Sequence, residues 1–293
     1  MTFTQLEVFA ALARAGSFSR AAALLGITQS AVSHAVRALE SELGVVLVQR
    51  EGLQSTLSDA GSQLLVRAND ILQQREALVQ EAATVRGVAR GTLRIASFGS
   101  TSSLRLLPSL LAAYRRAQPQ VQVQVEEQDD ETVVRWLLEQ RAEIGFVTLP
   151  DDRFETVRLA EDEFVAVVPA AHRLAQKRII QARDLEGEPF IRTGAGSGPA
   201  VDRILAESGA RPNVLYRFEQ LSSVLGFVAQ GHALAIAARL ALPDEAPGVV
   251  YRSLSPQQRR ITGLAVRNMK RLSPAAAAFV AVARQQARRR AST

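Results

Sequence analysis

The 293-residue chain contains no cysteine. That excludes a disulfide framework, a thiolate metal site and a thiol redox switch. No apolar run is long enough to cross a bilayer, and Met1 is followed by TFTQLEVF without a basic n-region or cleavage site. The expected location is therefore the cytoplasm, with no membrane partner. Histidine is scarce: His34, His172 and His232 are scattered, form no HExxH motif, and none is obviously partnered with a nucleophile. The glycine run from Gly194 to Pro199 lacks the Lys-Ser/Thr of a phosphate loop, and its G-S-G spacing around Ser197 is not that of a nucleophile elbow. The acidic stretch from Glu126 to Glu131 is accounted for by a solvated loop. Together these features argue against an enzyme, and no metal or cofactor motif is present in the sequence.

What is present begins at Ser17. The stretch SFSRAAALLGITQSAVSHAVRALESELG, Ser17 to Gly44, predicts two short helices joined by a glycine turn. Ser19 is placed to cap a helix over Arg20 to Leu25, Gly26 to supply a positive-φ turn, and Thr28 to cap a second helix running to about Leu43. Apolar positions mark the buried faces: Leu6, Phe9, Ala10 and Ala13 before the motif, Ala22 and Leu25 in its first helix, Val32, Val36, Leu39 and Leu43 in its second. Small residues at Ala21 and Ala22 allow close approach of the helices. Removing the buried stripe leaves Gln29, Ser30, Ser33, His34 and Arg37 facing outward from the N-terminal half of the second helix. This is the part a helix-turn-helix presents to the major groove. Gln pairs bidentately with adenine, Ser reaches bases or phosphates, and Arg reaches guanine or the backbone. An ordinary helical hairpin with a polar outer face gives the same pattern.

Residues 3 to 61, from FTQLEVFAALARAGSFSRAAALLGITQSAVSHAVRALESELG through VLVQREGLQSTLSDAG, resemble the winged helix-turn-helix of LysR-type transcriptional regulators, and the likeness continues along nearly the whole chain. The resemblance puts Gln29, Ser30, Ser33, His34 and Arg37 at DNA-contacting positions and Arg50 at the wing, with double-stranded DNA as the partner. Two departures stand out. Val48 replaces a usual aromatic, and Leu53 follows the wing glycine Gly52 where a basic residue is usual, which bears on minor-groove contact. The absence of cysteine removes the peroxide-sensing branch of the family.

The net charge of +6 is unevenly placed. Residues 1 to 61 carry four arginines against five carboxylates, whereas Arg284 and Arg288 to Arg290 cluster at the C-terminus as a solvated tail. Affinity for DNA must then come from placed contacts, helix N-termini and binding as a dimer.

From Ser58 to about Arg86 the chain predicts one helix of about 29 residues, roughly 43 Å long. Leu64, Ile71, Leu78 and Val85 recur every seven residues, with Leu65, Leu72 and Val79 alongside, Ala68 and Ala82 as small spacers, and Arg75 as an interruption. These columns fit pairing with a second subunit; a helix lying across its own C-terminal domain is the alternative. The resemblance implies an antiparallel linker-helix dimer. Gly87 to Gly91 reads as a hinge.

Beyond Gly91 the pattern is α/β. LRIASF, VQVQVEE, EIGFVTL and EFVAVVP read as strands, and Leu104 to Ala117, Thr132 to Arg141, Pro199 to Ser208 and Ser222 to Gln230 as helices. Alternation with short connections implies parallel sheets, which bind ligands beyond the C-terminal ends of their strands. By resemblance this part, 92 to 293, is an effector-binding domain of two Rossmann-like lobes like those of periplasmic solute-binding proteins, the first at about 92 to 162 plus 267 to 293 and the second at about 163 to 266. A small-molecule effector is expected between them.

Two hydroxyl-rich loops suit that cleft. Ser100, Thr101 and Ser102 close a strand and open a helix, and Thr193 and Ser197 with Pro199 repeat the arrangement. Either could hold a carboxylate or similar anion, and either could be a simple helix cap. By resemblance Gln128 and Thr148 line the floor, Gln128 standing where relatives often have glycine. The reading is a regulator whose dimers pair into a tetramer, whose effector shifts lobe geometry, and which contacts RNA polymerase. The alternative is a DNA-binding assembly whose α/β part no longer responds to a ligand, since GHALAIAARLALP departs from the usual glycine and proline pattern.

Overall fold

In the computed structural model the described residues are 1–51, 54–85, 90–194 and 197–291, and the side chains of residues 50, 51, 54 and 291 lie outside that description. Three helices open the chain: α1 (Phe3–Ala15), α2 (Phe18–Leu25) and α3 (Gln29–Leu43). Each ends on a glycine with positive φ, Gly16 at 63°, Gly26 at 66° and Gly44 at 70°, a left-handed conformation that costs an L side chain about 1 kcal/mol or more. Ser17, rather than Ser19, caps α2: its hydroxyl accepts the Arg20 N–H, because the helix begins two residues earlier than the spacing predicts. Thr28 caps α3 as expected. Ala21 and Ala22 are buried where α2 meets α1, together with Val32, Val36 and Leu39 of α3. Leu43, expected in the core, is exposed at the last position of α3, beside its cap Gly44.

A two-stranded wing follows, β1 (Val48–Glu51) antiparallel to β2 (Gln54–Leu57). It is tied down at both ends. Ser55 N–H donates to Gly16 O at 3.0 Å, and the Ser58 hydroxyl donates to Val46 O at 2.6 Å. Helix α4 (Asp59–Val85) then starts against the Leu47 backbone so closely that a Cβ at Gly61 would lie 2.0 Å from Leu47 O.

The faces of α4 differ in what covers them. Leu65 and Ala68 are buried, and with Leu64 and Leu72 they pack on α1. Arg75, the break in the heptads, pairs with Glu7 and lies over the Phe3 ring at 5.0 Å. Further along, α4 rests on its own effector-domain portion: Gln80 is buried, donates to Thr92 O and accepts the Ala275 N–H, both at 3.2 Å. Ile71, Leu78, Val79 and Val85 remain exposed, Leu78 by 66% and Val85 by 87%. Of the expected Gly87 to Gly91 hinge, residues 87–89 lie outside the described residues, as does residue 86 before it.

The remaining chain forms β3 (Gly91–Phe98), a π-helical turn (Thr101–Leu106), α5 (Leu107–Ala117), β4 (Val121–Gln128), α6 (Asp130–Leu138), β5 (Ile144–Leu149), β6 (Glu155–Pro169), β7 (Ile179–Gln181), β8 (Pro189–Thr193), α7 (Gly198–Ser208), β9 (Asn213–Phe218), α8 (Leu221–Ala229), β10 (Leu234–Ala238), β11 (Val249–Ser255), β12 (Arg259–Val266) and α9 (Pro274–Ala291). Strand order is β4-β3-β5-β12-β6-β10-β8-β9, with β11 pairing β6 and β7. The sheets are mixed rather than parallel throughout. β4, β3 and β5 run parallel, as do β10, β8 and β9, but β12 is antiparallel to both β5 and β6, and β10 is antiparallel to β6.

β6 explains the division into lobes. Its first half, Glu155 to Glu163, pairs with β12, and its second half, Phe164 to Pro169, with β10 and β11. One continuous strand thus carries the chain from the first sheet to the second. The return comes earlier than the sequence suggests: residues 259–266, expected in the second lobe, form β12 of the first sheet, because their long-range pairing with β5 and β6 fixes their place. Each sheet has its own core. The first is built on Phe146, Ile144, Leu93 and Tyr114, whose hydroxyl donates to Ala275 O and anchors α9; the second on Phe190, Ile236, Val167 and Ile191.

Candidate nucleic-acid interface and effector cleft

The exposed face of α3 is assembled by its cap. Thr28 accepts the Ala31 N–H at 3.2 Å and its hydroxyl lies 2.9 Å from that of Ser30, which fixes the first turn. Gln29, Ser30, His34 and Arg37 are exposed and Ser33 is half-buried, and all five line one open concavity with Thr28 and Ala31. The first turn carries no acidic residue. The positive end of the helix dipole therefore faces this surface without local compensation, which favours phosphate. Arg50 stands on β1 of the wing, and its side chain is outside the described residues, as are Gly52 and Leu53 entirely.

Spacing alone did not reveal Glu40. From the inner side of α3 its carboxylate accepts the N–H groups of Leu47 at 2.8 Å and Val48 at 3.1 Å, so the recognition helix positions the wing directly.

The expected effector residues separate into distinct environments. Ser102 is fully buried: its hydroxyl accepts the Phe98 N–H at 2.9 Å, donates to Phe98 O and lies 2.9 Å from the Ser97 hydroxyl. It closes the turn after β3, and these bonds occupy it. Thr101 is buried as well, and its Oγ1 accepts from Arg260 at 2.8 Å. Ser100, next to it, is half-buried and makes no capping bond. Gln128 and Thr148 are exposed at the ends of β4 and β5, and Thr148 donates to Asp130 Oδ2 at 3.3 Å. In the second lobe Thr193 and Ser197 are buried, on either side of residues 195 and 196, which are not described.

The charged centre between the lobes was not among the expected residues. Arg260 on β12 and Asp162 on β6 face each other in a bidentate pair, Nε to Oδ1 at 3.1 Å and Nη2 to Oδ2 at 2.9 Å, with side chains 5% and 3% exposed. The rings of Phe98 and Phe164 flank the guanidinium, and Asp162 also accepts the Leu240 N–H from the second lobe at 3.0 Å. Nearby, Arg105 donates to Leu242 O at 2.8 Å and to Asp244, so the turn after β3 is hydrogen-bonded to the second lobe. Asp130 completes the group. Burial pushes its carboxyl up to about 6 against the opposing influence of Arg260 and the Thr148 hydrogen bond, and its Oδ1 is buried with no partner among the described residues. The available signal was an acidic cluster, EDE, opening the apolar run of EDEFVAVV and a basic pair, RR, opening that of RRITGLAV, but their pairing is non-local.

Residues 3–62 match the bacterial regulatory helix-turn-helix of the lysR family, and residues 86–288 match the LysR substrate-binding domain. The chain belongs to the LysR family of DNA-binding transcriptional regulators. It is 36% identical to the transcriptional regulator LrrA of Synechococcus elongatus, over 98% of both chains. It is 33% identical to the HTH-type transcriptional regulator YvbU of Bacillus subtilis, over 97% of this chain and 98% of that one. Among solved structures it resembles a full-length OxyR variant from Pseudomonas aeruginosa (TM-score 0.72, 24% identity, 98% and 95% covered). It also resembles full-length CbnR complexed with its target DNA (TM-score 0.64, 25% identity, 98% and 100% covered). With no cysteine in this chain, the likeness to OxyR is one of fold. No helix among the described residues is long and apolar enough to cross a membrane.

Proposed function

We propose that this regulator reads a paired DNA site through Gln29, Ser30, Ser33, His34 and Arg37, with Arg50 at the wing, and that a small molecule between the two α/β lobes governs the outcome. The observation that carries the DNA reading is the polar, capped and acid-free N-terminal turn of α3, exposed beside Arg37. The exposed column Ile71, Leu78 and Val85 supports pairing of α4 with a second subunit, since burying each such side chain is worth about 1.5–3 kcal/mol. Two dimers joined through their α/β lobes make the tetramer, which contacts RNA polymerase and acts in the cytoplasm.

For the effector, the buried charges support a molecule with two kinds of group. An anionic group suits Ser100 and the Arg260 side of Thr101. A hydroxyl or ammonium suits the unpartnered Oδ1 of Asp130. Gln128, Thr148, Thr193 and Ser197 border the same space in this reading, while Ser102 shapes the turn. The deciding experiment is capture of genomic fragments by the purified protein at two salt concentrations. Discrete paired half-sites are the expected result, and salt-sensitive binding without sequence enrichment would refute site-specific reading.

A further inference from the structure

A cavity with a volume of about 350 Å³ lies in the seam between the DNA-binding domain and the first lobe. The seam is held by three contacts already formed. Asn69 of α4 donates to Glu139 O at 2.7 Å, Glu76 accepts the Thr92 N–H at 3.2 Å, and Gln80 bridges β3 and α9. The cavity therefore has walls from both domains.

Its lining carries three arginines, Arg14, Arg94 and Arg141, and three carboxylates, Glu7, Glu126 and Glu139. Arg14, in the last turn of α1, faces Arg94 of β3 and Arg141 beyond α6. Burial, then Arg141 and to a smaller extent Arg94, hold the Arg14 guanidinium below its ordinary pKa, with Glu126 acting the other way. The carboxylates lining the space are mostly engaged. Glu7 pairs with Arg75, Glu126 takes Arg141 Nη2 at 2.7 Å, and the carboxyl of Glu139 is pushed up by burial. The side chains of Arg14 and Arg94 make no hydrogen bond or ion pair among the described residues, and Arg141 Nε is buried without a partner while its guanidinium stacks on Trp136 at 3.7 Å. Guanidinium groups from two domains thus border one space: among the described residues, those of Arg14 and Arg94 are open to solvent and without a protein partner, and that of Arg141 has its Nε buried and unpaired. The partner that satisfies such forks is an oxyanion, held by charge-assisted and often bidentate hydrogen bonds.

We propose that this cavity binds a small polyvalent oxyanion, of the phosphate or carboxylate type, that bridges Arg14 of the DNA-binding domain to Arg94 and Arg141 of the first lobe. Without the anion, like charges face one another across the seam. With it, they hold α1 against the lobe and fix the angle at which α3 is presented. The site shares no lining residue with the expected effector residues between the lobes.

The test uses the full-length protein, titrated with inorganic phosphate and, separately, with malonate, each at constant ionic strength set by sodium chloride. Because the chain has no cysteine, a spin-label pair at Ser19→Cys and Gln124→Cys reports the distance across the seam. Phosphate at tenfold over its Kd should raise the melting midpoint by about 3 °C and narrow the distance distribution. Arg14→Gln and Arg94→Gln should abolish both responses while leaving the phosphate-free midpoint unchanged or higher, since a repulsion is removed. Malonate should act as phosphate does. An equal phosphate response in both variants, or an equal effect of chloride alone, would overturn the proposal, as would indifference of the wild-type protein to both oxyanions.

Discussion

The carboxylate of Glu40 accepts the backbone N–H of Leu47 at 2.8 Å, and the same oxygen accepts that of Val48 at 3.1 Å. One side chain of α3 therefore supplies two charge-assisted hydrogen bonds to the strand that opens the wing. Glu40→Ala should lower unfolding stability by about 1–3 kcal/mol, the range for leaving such donors unsatisfied. Glu40→Gln should cost less, because an amide oxygen still accepts. Urea denaturation of the three proteins decides the matter: a Gln variant as damaged as the Ala variant would mean that the two bonds do not carry the effect.

The buried pair Asp162 and Arg260 makes a different prediction. Removing one charge leaves the other desolvated and unpaired, a loss of about 3–5 kcal/mol, so Asp162→Asn and Arg260→Met should each destabilise strongly. Replacing both together, as Asp162→Leu with Arg260→Met, should recover much of the loss. A double-mutant cycle measures the coupling. Additive losses would show that the two side chains do not depend on each other. Thr101→Val should cost about 1 kcal/mol more modestly, since Arg260 Nη2 keeps its bond to Asp162.

Asp130 gives the protein a pH dependence of definite sign. Its folded-state carboxyl titrates at about 6, above the ordinary value, so the folded protein retains a proton that the unfolded chain releases between about pH 4 and pH 6. Stability contributed by this group is greatest below that window, falls as pH rises through it, and is gone above it, at most about 3 kcal/mol in all. Asp130→Asn should flatten this part of the profile and stabilise the protein at pH 7. Urea midpoints at pH 4.5 and pH 7 check it, and an Asn variant with the wild-type slope would assign the dependence to another group.

Local chemistry made much of this architecture legible. Gly26 and Thr28 mark the turn and cap of the helix-turn-helix because both act within three residues of their own position, and the heptads of α4 mark its faces for the same reason. Ser17 escaped in favour of Ser19 because two serines flank Phe18 and either spacing gives a cap. Long-range pairing was the harder part. β12 belongs to the first sheet through partners more than ninety residues away in β6, and Arg260 meets Asp162 by that same register. β9 lies at the sheet edge and is largely exposed, and although VLYRF is rich in strand formers it lacks the apolar/polar alternation that marks a half-buried strand. In the candidate cleft, the hydroxyls at Ser102 and Thr101 look free in sequence and are taken up once Phe98 and Arg260 arrive beside them.

Arg37 lies one helical turn beyond Ser33 on the outer face of α3 and is exposed, so in the proposed reading it is placed to meet DNA without supporting the core. Its loss should leave folding intact, since surface substitutions away from special contacts usually change stability by less than about 0.5 kcal/mol. Operator affinity should fall by about tenfold or more. The salt dependence separates the two kinds of contact. If Arg37 meets a phosphate, Arg37→Ala weakens all sequences alike and lowers the slope of log K against log salt by about one; if it meets a base, the slope holds and discrimination at one position relaxes. Ser33→Ala should weaken binding less, as one hydroxyl contact is lost. Binding isotherms at three salt concentrations on matched and single-substituted sites make the distinction, and an Arg37→Ala protein with wild-type affinity throughout would remove α3's outer face from the DNA interface.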